Sequence, residues 1–297
     1  MSKPVPTLVR FPHCRCQWQG DEVVHVCVRW GRLKGTDESF RFRGRWEQDY
    51  KAAKNQGDFE AATRLVTECI KRAPKTMDAI VDAAMPFIED GTPLLCVVPH
   101  PAFDDDDGGD DQASAREIPR NVIPSVYANY IAAMLGATVD SQIIERERVG
   151  RTKLKNFERF LWQPSFTGLV QSKAAYIIVD DVFTLGGTIA AMRSYLLQHG
   201  GTVALSTALA HRTGRAQRLA LTRETWNELQ GIYGSDLSSF WKEVVGHDAI
   251  CLTESEGSVI IAFGKQQTRD GFGKSLLHRL RDCLAEAAGR GNQSSSS

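Results

Sequence analysis

The spacing of apolar residues changes along the chain, and each change marks an element. Near the start, Val23 to Trp30 is rich in valine and Ser39 to Trp46 alternates phenylalanine with arginine, so both runs predict antiparallel strands. From Trp46 to about Ala73 the period becomes helical. Tyr50, Ala53, Ala61, Ala62, Leu65, Val66, Cys69 and Ile70 recur among Lys, Glu and Arg, and Gly57 with Asp58 divides the run into two packed helices. A third helix, Thr76 to Ile88, leads into a buried strand at Pro93 to Val98. Beyond Arg120, the helix in VIPSVYANYIAAMLGATV has Val126, Tyr130, Ala133, Met134 and Leu135 as its packing set and Gly136 as its stop. Thr138 to Ile144 predicts the next strand.

The chain is organised around Ala174 to Gly201. Tyr176, Ile177, Ile178 and Val179 form a continuous, largely β-branched run, the pattern of a parallel strand buried on both faces. Asp180 and Asp181 are expected to end it. Two adjacent carboxylates are costly to desolvate, so they are expected to face a cleft at the carboxyl end of the sheet. Thr184, Leu185, Gly186, Gly187 and Thr188 then open a helix that packs through Ile189, Met192 and Leu196. A Gly-containing turn at a helix start offers free backbone N–H groups and the positive end of the helix dipole, which together suit a phosphate. Thr202 to Ala210 is another apolar strand, followed by the basic stretch His211, Arg212, Gly214, Arg215 and Arg218. The rest reads as helices at Thr222 to Tyr233, Leu237 to Val245, from Thr253 onward, and Gly273 to Ala288. Thr253 and Glu256 have the spacing of a capping box.

Composition narrows the class. The chain has 297 residues, 42% of them hydrophobic, enough for a substantial core. Its formal net charge of zero gives no whole-chain argument for nucleic acid or an anionic membrane. The cysteines number seven, scattered and odd, with no apolar leader or span, which fits a reducing cytoplasm. His13, Cys14, Cys16, His25 and Cys27 invite a zinc reading, but no Cys-x-x-Cys pair is among them.

IIVDDVFTLGGT resembles the signature of type I phosphoribosyltransferases, in which a buried strand leads through two acids into a loop that holds 5-phosphoribosyl 1-diphosphate (PRPP). VVPHP resembles that family's diphosphate loop, with Pro99 and His100. The run from there through Arg120, Asn121, Arg148, Thr152, Arg159, Phe166 and Gly168 is similar to its competence-associated and amidophosphoribosyltransferase-like branch. Leu185 departs from the pattern, standing where a second Thr is common. The resemblance covers residues 93–210. It implies a mostly parallel α/β core at 91–215, and the residue pattern sets beside that core an N-terminal β plus helical extension at 1–90, a C-terminal helical cap at 216–288 and a disordered tail at 289–297. It further implies a Mg²⁺-dependent enzyme that passes ribose 5-phosphate from PRPP to a nitrogen acceptor and releases pyrophosphate. Asp180 and Asp181 would hold the ribose hydroxyls and Thr184 to Thr188 the 5-phosphate. The alternative within the same resemblance is a non-catalytic PRPP-binding regulator.

Other charged stretches extend these expectations. Lys153, Lys155 and Arg159 lie on a basic segment suited to stabilising a departing diphosphate, and Lys155 and Arg159 join the acid pair as catalytic candidates. The run Asp104 to Asp111 reads as a solvated insertion able to recruit Mg²⁺. Arg41, Arg43 and Arg45 would share one face of their strand, where they either meet the phosphates of a nucleic acid or simply face solvent. No membrane partner is expected, and a homo-oligomer is left open.

Overall fold

The computed structural model describes residues 15–29, 45–99, 121–146, 154–269 and 275–294. A six-stranded sheet has the order β3-β2-β6-β7-β1-β8. Its strands are β1 (Val23–Arg29), β2 (Leu94–Val97), β3 (Thr138–Asp140), β6 (Ala175–Phe183), β7 (Thr202–His211) and β8 (Gln217–Arg218). All neighbours are parallel except the short β8, which runs antiparallel to β1. The fold is therefore α/β with a mostly parallel sheet. A separate two-stranded ribbon joins β4 (Ile144–Glu145) to β5 (Phe166–Thr167).

Alternation along β6 explains how the sheet takes helices on both faces. Ile177 and Val179 point into one core with Leu65, Ile80 and Tyr127, supplied by α2 (Phe59–Lys71), α3 (Pro74–Glu89) and α4 (Ile123–Leu135). Tyr176 and Ile178 point the other way, toward Ile189, Met192 and Leu196 of α6 (Gly187–Gln198). Ile177 and Ile178 are fully buried, each contributing about 1.5–3 kcal/mol of burial. Helix α1 (Arg45–Asn55) packs on α2, and the break between them is fixed by Asp58, whose carboxylate accepts the Ala61 N–H.

A second core holds the C-terminal helices together. α5 (Asn156–Leu161), α7 (Arg223–Tyr233), α8 (Leu237–Val245), α9 (Glu254–Arg269) and α10 (Leu276–Ser294) enclose Phe160, Leu229, Trp241, Ile260 and Leu280. Phe160 meets the Trp241 ring edge to face, with centroids 5.3 Å apart.

The chain departs from its sequence pattern at four places. β1 is a parallel partner of β7, with Val28 opposite Ala210, where an antiparallel strand was expected. A valine-rich run packs equally well in either direction, so its alternation carries no information on polarity. β6 does not end at Asp180 but runs on through both acids to Phe183. The expected strand Thr138 to Ile144 is two short pieces, β3 and β4, in different sheets. Helix α10 continues beyond Ala288 to Ser294, into the stretch expected as a tail. The Phe/Arg strand with Arg41 and Arg43 lies outside the described residues, and Arg45 begins α1.

Candidate functional site

The turn from β6 into α6 forms the floor of the site. Gly186 caps α6 with φ 84°, and a Cβ there would stand 2.8 Å from the Phe183 ring and 3.1 Å from Thr253. Only glycine fits both the conformation and the space. The N-cap residue of α6, Gly186, supplies no side-chain cap, in contrast to Asp58 of α2 and Thr222 of α7. Arg159, from α5, reaches over the turn and donates from Nη1 to Thr184 Oγ1 at 3.0 Å. Above the turn lies a cavity of about 30 Å³, walled by Arg159, Trp162, Gln163 and Pro164 on one side and Thr184, Leu185, Gly187, Thr188 and Glu256 on the other. That is room for about two water molecules.

A buried polar cluster locks this wall in place. Arg15 grips Glu256 with both guanidinium nitrogens, Nη1 to Oε2 at 2.5 Å and Nη2 to Oε1 at 2.8 Å. Nη2 also donates to Gln163 Oε1 at 2.7 Å, and Gln163 Nε2 in turn donates to the Arg159 carbonyl at 2.7 Å. Glu256 and Thr253 form the expected capping box of α9: Glu256 Oε2 accepts the Thr253 N–H at 3.0 Å, and Thr253 Oγ1 accepts the Glu256 N–H at 3.1 Å. The Thr253 hydroxyl also donates to the Leu185 carbonyl, which ties the turn to the second core. Leu185 therefore serves the turn through its backbone carbonyl.

The acid pair is placed differently. Asp180 and Asp181 are both buried in β6, and neither lines the cavity. Asp181 Oδ2 accepts from Asn121 Nδ2 at 2.7 Å and from Lys54 Nζ at 3.1 Å. Asp180 Oδ1 accepts the Asp181 N–H at 2.8 Å. Burial pulls the Lys54 ammonium down, but Asp181 and the Tyr50 hydroxyl outweigh it and hold its pKa above the ordinary lysine value. Lys155 is exposed at the start of α5 and is not part of the cavity wall. Pro99 is buried just beyond β2. His100, Arg148, Thr152, Lys153 and the run Asp104 to Asp111 lie outside the described residues.

Among the described residues, Cys16, His25 and Cys27 do not converge on a shared site. The Cys16 thiol faces the Ser194 carbonyl on α6, whereas Cys27 lies on the opposite face of the sheet, 3.1 Å from the Tyr127 hydroxyl. Burial pushes the Cys27 thiol up to about 12, away from the thiolate a metal would need. Among the described residues no group of three His, Cys, Asp or Glu side chains could share a metal ion. Among them, too, no helix is long and apolar enough to cross a membrane.

Sequence reasoning found the turn and Arg159 but missed Arg15, Gln163 and Lys54. Arg15 stood among the cysteines and Lys54 inside a helix, with nothing local to mark either. The role of Glu256 was read only in part, since its capping box was legible and its pairing with Arg15, 241 positions away, was not.

The fold and site define an α/β unit with a glycine turn that opens a helix at the carboxyl edge of a mostly parallel sheet. No family model matches the chain. Over 210 residues, 71% of its length, it is 33% identical to Protein TraN of Escherichia coli, and the match covers 42% of that protein. Over 79 residues, 27% of its length, it is also 33% identical to an uncharacterised protein of Haemophilus influenzae, covering 18% of that relative. The chain thus spans less than half of either relative.

These similarities overturn the phosphoribosyltransferase expectation. The relative that aligns with most of the chain is Protein TraN, not a phosphoribosyltransferase. Transfer of ribose 5-phosphate, pyrophosphate release and the PRPP-binding alternative fall with it. The physical reason lies in what the signature encodes. A β-branched run and a glycine turn are what any buried parallel strand needs to enter a helix, so IIVDDVFTLGGT fixes local packing without fixing a ligand. The two acids, read as sugar-binding, engage a lysine, an asparagine and the backbone.

Proposed function

We propose that the chain is a ligand-binding α/β module of the kind it shares with Protein TraN, and that its ligand is a small phosphomonoester seated on the β6–α6 turn. The observation that carries this reading is the Arg159 guanidinium held 3.0 Å from Thr184 Oγ1, beside a helix start whose N-cap is a glycine. A helix start supplies N–H donors and a positive dipole end, and arginine supplies a fork matched to phosphate oxygens. The Arg15–Glu256 pair supports the reading as well, because the one carboxylate in the cavity wall is neutralised in place.

Calorimetric titration with inorganic phosphate and a panel of phosphomonoesters tests the proposal. Saturable binding is expected, weakened by Arg159→Ala by about 1.5–3 kcal/mol, the contribution of a hydrogen bond to a charged group. Thr184→Val is expected to weaken it less. Absence of binding, or binding that Arg159→Ala leaves unchanged, would contradict it.

A further inference from the structure

Many of the described arginines end on a carboxylate: Arg15 on Glu256, Arg64 on Asp49, Arg72 on Glu68, Arg193 on Glu22, Arg218 on Asp21 and Arg281 on Glu243. Arg29, Arg212 and Arg215 have no such partner among the described residues, and they share one corner of the sheet. Arg29 closes β1 and pairs with His211, the last residue of β7. Its Nε donates to the Arg212 carbonyl at 3.1 Å. Gly214 then folds the loop flush onto the strand. Its φ is 65°, and a Cβ at this position would stand only 2.5 Å from the backbone nitrogen of Arg29, so the approach requires glycine. Arg212 and Arg215 are exposed and Arg29 is half-buried. The histidine beneath them adds no charge at neutral pH. His211 is buried against Phe183, and burial together with neighbouring Arg212 draws its pKa down to about 4.

We propose that this corner binds the phosphate backbone of a nucleic acid. Three guanidinium groups without counter-charge among the described residues, in a chain of zero formal net charge, form a local positive field that favours an anion. The planar fork of arginine fits the paired oxygens of a phosphodiester. The contact of Arg29 Nε with the Arg212 carbonyl brings these two residues together at the corner, close enough to reach neighbouring phosphates of one strand. The surface shares no residue with the lining of the cavity over the β6–α6 turn.

Fluorescence anisotropy with a labelled single-stranded oligonucleotide, and with the matching duplex, tests the proposal on the full chain across a range of salt. For three phosphate contacts to a single strand, the slope of log K against log salt is expected to be about −2, reduced to about −0.7 in Arg212→Ala/Arg215→Ala. Arg212→Lys/Arg215→Lys keeps the charges and is expected to restore the slope. Arginine-dependent binding to either form supports the proposal, and the tighter form identifies the partner. It is overturned if neither form binds at low salt, if the double variant keeps the full slope, or if polyglutamate binds as well as the oligonucleotide.

Discussion

Two buried carboxylates sit near the carboxyl edge of the same sheet, and each is matched by one cation. Glu256 and Arg15 are almost completely enclosed, with side chains 1% and 2% exposed. Asp181 and Lys54 are looser, at 9% and 21%. The first pair also holds Gln163, the start of α9 and, through Thr253, the turn that opens α6. The second joins α1 to β6 where water still reaches the ammonium group. The contrast shows a division of labour: the enclosed pair is a rigid joint that sets the cavity wall, whereas the open pair pins one helix to the sheet.

Breaking the enclosed joint is expected to have the largest effect. Glu256→Gln leaves the Arg15 guanidinium buried without a counter-charge, which should cost about 3–5 kcal/mol of stability in urea unfolding. Replacing the pair with apolar residues, Arg15→Met/Glu256→Leu, should cost less than Glu256→Gln alone, because no charge is stranded. The remaining cost is the lost α9 capping box, about 1 kcal/mol, together with the buried Gln163 Oε1 left without its Arg15 donor, about 1–3 kcal/mol. A double variant less stable than the single one would show that the two residues do not act as a pair.

The open pair should be more forgiving. Asp181→Asn removes the charge facing Lys54 but keeps an acceptor for Asn121, and a loss of about 1.5–3 kcal/mol is expected. If it matches the loss from Glu256→Gln, the distinction between the two pairs fails.

How much of this was legible in the sequence depended on the range of the interaction. The Gly57–Asp58 break, the helix after Thr222 and the α9 capping box were readable because a cap acts within three residues. The apolar run at Tyr176 to Val179 was readable because burial on both faces of a parallel sheet selects residue type directly. Polarity of β1 was not, since pairing with β7 is decided by residues some 180 positions away, such as Ser206 opposite Val24. The acid pair was the instructive case. Sequence showed two costly carboxylates correctly, but could not show that Lys54, from a helix 127 positions earlier, already meets one of them.

The smallest effect is expected in the alkaline limb. The folded-state pKa of Lys54 lies above its ordinary value of 10.5, so the folded protein binds more protons than the unfolded chain as pH rises past that value. The stability Lys54 contributes is therefore complete below 10.5 and is lost progressively above it. Lys54→Met should flatten this decline without removing it, because the Tyr50 hydroxyl, pushed up by burial, contributes a decline of the same sign. An unchanged alkaline limb in Lys54→Met would show that the ammonium gains nothing from Asp181.

The central claim is that the β6–α6 turn is an anion seat rather than merely a bend in the chain. Amide-resolved nuclear magnetic resonance during titration with a phosphomonoester tests it most directly. The expected result is saturable shifts, largest at the N–H groups of Gly187 and Thr188, that need at least about tenfold more ligand in Arg159→Ala. Saturation with no movement at those amides, or movement confined to other parts of the chain, would contradict the account.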